Sequence, residues 1–136
     1  MKTRIVFNRL IPFSGFVAMT LYPFIFVREA VAKKYSTVAN NHEHIHAEQQ
    51  KELLPVGIAL ALIAYFSGLG LWALLFLPIF LWVYLIEWLI KIIWYGNSHT
   101  AYRSISFERE AYANEKDLTY LSNRKHFIWF KYIFHN

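Results

Sequence analysis

Three histidines and two glutamates fall within the seven residues from His42 to Glu48, inside the stretch NNHEHIHAEQQ. His42, Glu43 and His46 spell H-E-x-x-H. On a helix, two histidines four residues apart project to the same side, so both imidazoles can grip one metal ion. Zinc suits such a pair, because it takes neutral imidazole nitrogen at ~2.0–2.1 Å and in catalytic sites keeps one position open for water. Glu43, next to the first histidine, stands where a carboxylate can take a proton from that water. His42 and His46 are thus candidate metal ligands, Glu43 is the candidate general base, and a third ligand is required.

The stretch FEREAYANE, Phe107 to Glu115, offers one. If it is helical, Glu108, Ala111, Tyr112 and Glu115 lie on one side and Glu110 is turned away. Glu108 and Glu115 are the alternatives, and either would complete a His2Glu set with one open position. Such a ligand set favours Zn²⁺ on softness and geometry.

The elements that must position these groups follow from composition. A chain of 136 residues that is 57% apolar and 19% aromatic is too rich in apolar groups for a small soluble fold. No charged residue occurs between Leu53 and Ile86, and ~20 apolar residues suffice to cross a bilayer. SGLG, Ser67 to Gly70, interrupts this block with a turn signal. The expected fold is a mainly α membrane protein built on a transmembrane helical hairpin. The first helix, 40–66, starts with Asn40 as its cap and Glu43 reaching back, and carries H-E-x-x-H directly into the first span. Pro55 is tolerated as a kink near the interface. The second span covers 71–95 and ends on Gly96. The third-ligand helix covers 104–123, from near Ser106 to Asn123. Residues 1–38 read as an extended region with a small β-hairpin about Ser14-Gly15. The tail, 124–136, alternates aromatic and basic residues as an interfacial anchor does.

The hairpin returns the chain to the membrane face that holds the histidines. All 14 Lys and Arg residues flank it on its open side, which the positive-inside bias makes cytoplasmic. The net charge of +5 fits attraction to anionic headgroups. No basic helix or aromatic-basic sheet signature points to nucleic acid. The absence of cysteine excludes disulfides and thiolate metal sites. MKTRIVFNRLIPF lacks the pattern of a removable signal peptide.

HEHIHAEQQ followed by FEREAYANE resembles the gluzincin metallopeptidases, in which an HExxH helix supplies two histidines and the catalytic glutamate, and an E-x-x-A helix supplies the third zinc ligand. EREA, Glu108 to Ala111, fits that pattern with Glu108 in the ligand position. The HExxHxxQQ form, through Gln49 and Gln50, also resembles a set of short bacterial HExxH proteins. The membrane setting is similar to that of the CAAX-prenyl and heat-shock membrane gluzincins. The resemblance covers about Phe24 to Leu121. It implies a zinc metallopeptidase of a bacterial inner membrane with its active site on the cytoplasmic side and a peptide or membrane-associated protein as substrate. It also implies Tyr112, or His99 in the preceding loop, as the group that stabilises the oxyanion. The extended PFIFVR is expected to offer a strand edge to the substrate. Those peptidases carry Asp after the Ala of E-x-x-A; this chain carries Tyr112, so an orienting carboxylate is expected to be missing there.

Other polar residues have plainer readings. His44 lies off the ligand face and is expected to meet solvent or headgroups. His126 and His135 fall in the tail. Glu87 in a membrane helix is either functional or an i,i+4 partner of Lys91, and Gly68 and Gly70 form the turn. The alternatives to a hydrolase are a metal-binding membrane protein without turnover and a structural subunit.

Overall fold

The computed structural model describes residues 2–134; His135 and part of the expected tail lie outside the described residues. The chain is mainly helical, with a small three-stranded sheet at its N-terminal end. Strands β1 (Arg4–Asn8), β2 (Ala18–Leu21) and β3 (Phe24–Arg28) are ordered β1-β3-β2, with β3 parallel to β1 and antiparallel to β2. The tight hairpin turn falls at Tyr22-Pro23 and not at Ser14-Gly15, where a longer connection carries the chain from β1 to the far side of β3. β3 is therefore the paired central strand and its PFIFVR segment offers no edge; the outer edge near α1 belongs to β2.

Helix α1 (Thr37–Ala64) runs unbroken through Pro55. Its N-cap is Ser36, whose Oγ accepts from Ala39 N. Asn40, the expected cap, is inside the helix, and Glu43 points to the sheet, so the expected capping box does not form. The helical run continues through a π turn (Tyr65–Leu69) into a 3-10 segment (Gly70–Phe76). Gly68, at φ 96°, takes a left-handed conformation that an L side chain resists. The chain reverses there and packs back on α1. The run Thr37–Phe76 is long and apolar enough to cross a membrane, and only 17% of its most apolar window is buried.

Helix α2 spans Ile79–Tyr95 and not 71–95. Pro78 stands at its N-cap position, where its missing N–H costs no helical bond. Gly96 caps the C-terminus in the left-handed conformation, as expected. Two short helices follow, α3 (Ser98–Arg103) and α4 (Ser106–Asn114). The expected 104–123 helix ends at Asn114, and a turn in which Asp117 accepts from Thr119 separates it from α5 (Tyr120–Asn123). Asp117 is thereby set up to bond the backbone two residues on, an alternative to continuing the helix. Ile105, the N-cap of α4, has no side-chain acceptor. Glu87 on α2 replaces it, accepting from Ser106 N at 2.8 Å and from Ser106 Oγ at 2.6 Å. Lys91 pairs with Glu87 and donates to Ser104 O. This pair anchors α4, which gives Glu87 a structural part.

The core joins Leu53, Phe80, Ile105, Phe107 and Trp129. The Phe107 ring packs at 4.5 Å centroid distance on both Phe80 and Trp129, so the residue preceding Glu108 is fixed from α2 and from the tail. The tail is accordingly part of the core: Trp129 is buried, and Arg124 forms ion pairs with Glu52 and Glu110.

Gly57 marks the closest approach of the returning chain. A Cβ there would lie 2.6 Å from Leu77 O and 2.8 Å from Phe76 O, both backbone atoms. Gly57→Ala is expected to destabilise the protein by about 1–3 kcal/mol, the usual range for overpacking, read as a lowered thermal midpoint in detergent. An unchanged midpoint would contradict this packing.

Candidate metal centre

α1 presents His42 and His46 to α4, where Glu108 meets them. His46 Nε2 and His42 Nε2 are 3.1 Å apart, and Glu108 places Oε1 3.3 Å from His46 Nε2 and Oε2 3.4 Å from His42 Nε2. All three side chains are buried, and together they could hold a metal ion. Between the two candidate third ligands, the structure brings Glu108 into the cluster.

The tautomers follow from what lies behind each ring. His42 Nδ1 is 2.8 Å from Glu115 Oε2, and His46 Nδ1 is 2.8 Å from Gln49 Oε1. The Gln49 amide nitrogen donates to Phe107 O and Glu110 Oε2, which fixes the direction of that amide. Both acceptors therefore take an Nδ1–H, which leaves the two Nε2 atoms facing one another and Glu108. Neutral imidazoles would set two lone pairs together there, so the pocket calls for positive charge, either a proton at Nε2 or a metal cation. Glu108 Oε2 is also buried without a hydrogen-bond partner. Ligand atoms ~2.0–2.1 Å from a tetrahedral zinc lie roughly 3.3 Å apart, close to the Nε2–Nε2 spacing and to the distance from each Nε2 to its nearer Glu108 oxygen. The residues present fit such an ion.

Burial on its own would raise the Glu108 carboxyl, but positive charge at His46 and His42 outweighs it and holds the group well below the usual carboxylate range, so Glu108 is an ionised carboxylate whose state depends on a positive partner. Tyr84 on α2 donates to Glu108 Oε1 at 2.9 Å. Burial, and then the Glu108 charge, push the Tyr102 and Tyr112 hydroxyls upward, which keeps both protonated.

Glu43 is held from the sheet. Thr20 Oγ1 on β2 lies 2.7 Å from Glu43 Oε2, to which it donates, and 3.0 Å from Glu43 O. The Gln50 amide docks α1 onto the β2 edge, donating to Thr20 O and accepting from Tyr22 N. A cavity of about 480 Å³ opens against this locus, with His42, Glu43, His46 and Glu108 at one side and Tyr84 and Tyr102 in its wall.

Other expected positions resolve differently. Tyr112 is outside the cavity wall: its ring lies edge-on to His42 at 4.7 Å and beneath the Arg103 guanidinium. His99 is on α3, exposed, and does not line the cavity. His44 does lie off the ligand face, but it is pinned between Thr3 Oγ1 and Asn40 O. His126 is exposed, with Nδ1 3.3 Å from Glu52. The carboxylate expected to be missing behind the ligands is supplied by Glu115, one turn beyond Ala111, so its loss at position 112 is made good for His42. Gln49, Thr20, Tyr84 and Tyr102 were not anticipated as parts of the site. Gln49 alone had a local signal, one turn beyond His46 on the same face.

Comparison with protein-family models, curated proteins and solved structures finds no match. What the site can do therefore rests on its own residues.

Groups that orient ligating histidines usually cost 10–100-fold in metal affinity when removed. Gln49→Ala and Glu115→Ala are each expected to weaken zinc binding by about that factor, measured by competition with a chromogenic chelator. Affinity equal to wild type in both variants would contradict the orienting role of these two side chains.

Proposed function

We propose that the protein is an integral membrane, zinc-dependent hydrolase of the gluzincin kind, acting on an amide bond, with peptide cleavage the form its H-E-x-x-H resemblance implies. One observation carries the reading: the metal-competent trio His42, His46 and Glu108 shares a cavity wall with Glu43, a carboxylate that is not needed to complete the trio. His42 and His46 through Nε2 and Glu108 through its carboxylate would hold the ion. When bound, zinc acidifies a water molecule and polarises a carbonyl oxygen.

The chain's own groups do the rest. Glu43, steadied by the Thr20 hydroxyl, takes the proton of the attacking water and passes it to the leaving nitrogen. Tyr102, protonated, in the cavity wall and hydrogen-bonded to Glu108, would turn its hydroxyl to the developing oxyanion in place of Tyr112. Glu115 and Gln49 keep both imidazoles in the tautomer that leaves Nε2 free.

The membrane setting is part of the proposal. Leu62, Ile63, Phe66, Leu71 and Trp72 on the Thr37–Phe76 run, and Ile93 and Trp94 on α2, are exposed large apolar side chains. Apolar side chains exposed on this scale mark a lipid or partner contact. The turn at Gly68–Gly70 carries no charge, so that end enters the bilayer and the basic side, with the site, faces the cytoplasm.

Glu43→Gln keeps shape while removing the base. It is expected to retain zinc and to lower hydrolysis of a fluorogenic amide reporter by about 10²–10⁴-fold, the usual worth of a general base. Turnover unchanged in this variant would overturn the assignment. Bound zinc without turnover in the wild type, across amide and ester reporters, would favour a non-catalytic metal-binding membrane protein.

A further inference from the structure

The walls of the cavity carry information about what enters it. Away from the metal trio and Glu43 its lining is almost wholly apolar, with Phe16, Met19, Phe80, Leu81 and Trp88 among the contributors, and no Lys, Arg or Asp among the described residues. Most polar side chains of the lining are already engaged. Thr20 donates to Glu43, both ends of the Gln50 amide are bound to β2 and its turn, Tyr84 donates to Glu108, and Trp88 Nε1 donates to Ser98 O.

The hydrogen-bond balance of the cavity discriminates between substrates. An extended peptide brings an N–H and a C=O with every residue, and each one buried without a partner costs about 1–3 kcal/mol. Of the strand edge that would satisfy them, Thr20 O and Tyr22 N are taken by Gln50, which shortens the stretch a peptide could pair with beside the site. A hydrocarbon chain ending in one amide asks for hydrogen bonds only at that amide, where Glu43, Tyr102 and the metal site lie. The lack of a cation in the lining also disfavours an anionic group inside the cavity.

The cavity continues toward exposed apolar surface. Leu81, Phe13 and Phe16 on its lining are exposed. A second cleft of about 220 Å³ shares Leu21, Gln50, Phe80 and Leu81 with it and adds Leu54, Leu77 and Ile79. Its walls lead along the apolar run of α1 to the returning segment at Leu77–Pro78. An apolar chain could therefore lie from the metal trio across Phe80 and Leu81 without leaving apolar surroundings.

Building on the hydrolase reading, we infer that the substrate is a long-chain acyl amide, taken from the bilayer with its hydrocarbon chain in this cavity and its amide carbonyl at the metal trio. Water supplies the oxygen. A C–O bond forms at the acyl carbon, the C–N bond breaks, and Glu43 carries the proton to the nitrogen, giving a carboxylate and an amine.

The test is photo-cross-linking of zinc-loaded Glu43→Gln protein in lipid nanodiscs, using palmitamide with a diazirine at the chain terminus and peptide mapping by mass spectrometry. Zinc content is measured on the same samples. The expected result is labelling at Met19, Phe80 or Leu81 that excess palmitamide suppresses and an acetylated Leu-Phe amide does not. Labelling should be lost in Met19→Trp and Leu81→Trp, both of which fill the cavity, with zinc still bound. Labels confined to the outer apolar face at Leu71 and Trp72, or suppression by the dipeptide as strong as by palmitamide, would overturn the acyl inference while leaving the zinc hydrolase standing. Competable cavity labelling in protein that binds no zinc would leave the apolar chain in place and overturn the reading as a substrate for hydrolysis.

Discussion

Two imidazole Nε2 atoms face one another across 3.1 Å beside a buried carboxylate oxygen that has no hydrogen-bond partner. In a low-dielectric interior that arrangement is costly unless positive charge, a proton or a metal cation, lies between the electron-rich atoms. A cation at their centre turns the cost into an attraction. Much of the surrounding structure serves to hold the three groups in this pose. α1 sets the two histidines one turn apart, Phe107 is fixed in the core so that Glu108 reaches them, and Glu115 and Gln49 hold the two rings by their Nδ1 atoms.

The support extends well beyond the trio. Gln49 is held by Glu110, Glu110 by Arg124 and Tyr120, and Arg124 also by Glu52 on α1, in a continuous buried network. A buried ion pair of this kind is weak evidence for net stability, since desolvation offsets much of its attraction. Its geometric effect is clearer: it ties the tail to the rear of His46 through two intermediates. Glu87 has a comparable effect at the other end of α4, where it stands in for the missing cap. Two acidic residues in apolar surroundings, Glu87 and Glu110, thus orient the site without belonging to it.

Local pattern explains part of this and stops where register begins. The H-E-x-x-H spacing and the E-x-x-A pattern sufficed to single out His42, His46 and Glu108, because each depends only on helical periodicity. The junction of motif helix and apolar run was equally legible, since no turn signal separates them, and so were the turn at Gly68–Gly70 and the cap at Gly96. The sheet was misread because a parallel pairing between β1 and β3 leaves no local mark, whereas Ser14-Gly15 looks like a hairpin turn. Glu108 and Glu115 could not be separated by periodicity, as both share the face; only the docking of α4 shows one at the metal trio and the other behind His42. Arg124 and Trp129 sit in a segment whose composition reads as an interfacial anchor, and their burial depends on contacts with Glu52 and Phe107 that are distant in sequence. Thr20 reaches Glu43 only because β2 is an outer strand.

If a metal ion supplies the positive charge between His42, His46 and Glu108, elemental analysis and X-ray absorption at the zinc edge test it most directly. Both are made on detergent-purified protein, wild type beside His46→Ala and Glu108→Ala. The structure predicts one zinc per chain with two imidazole nitrogens and carboxylate oxygen in its shell, lost in both variants. Protein that takes up no zinc after supplementation, or zinc that persists in both variants, would contradict it.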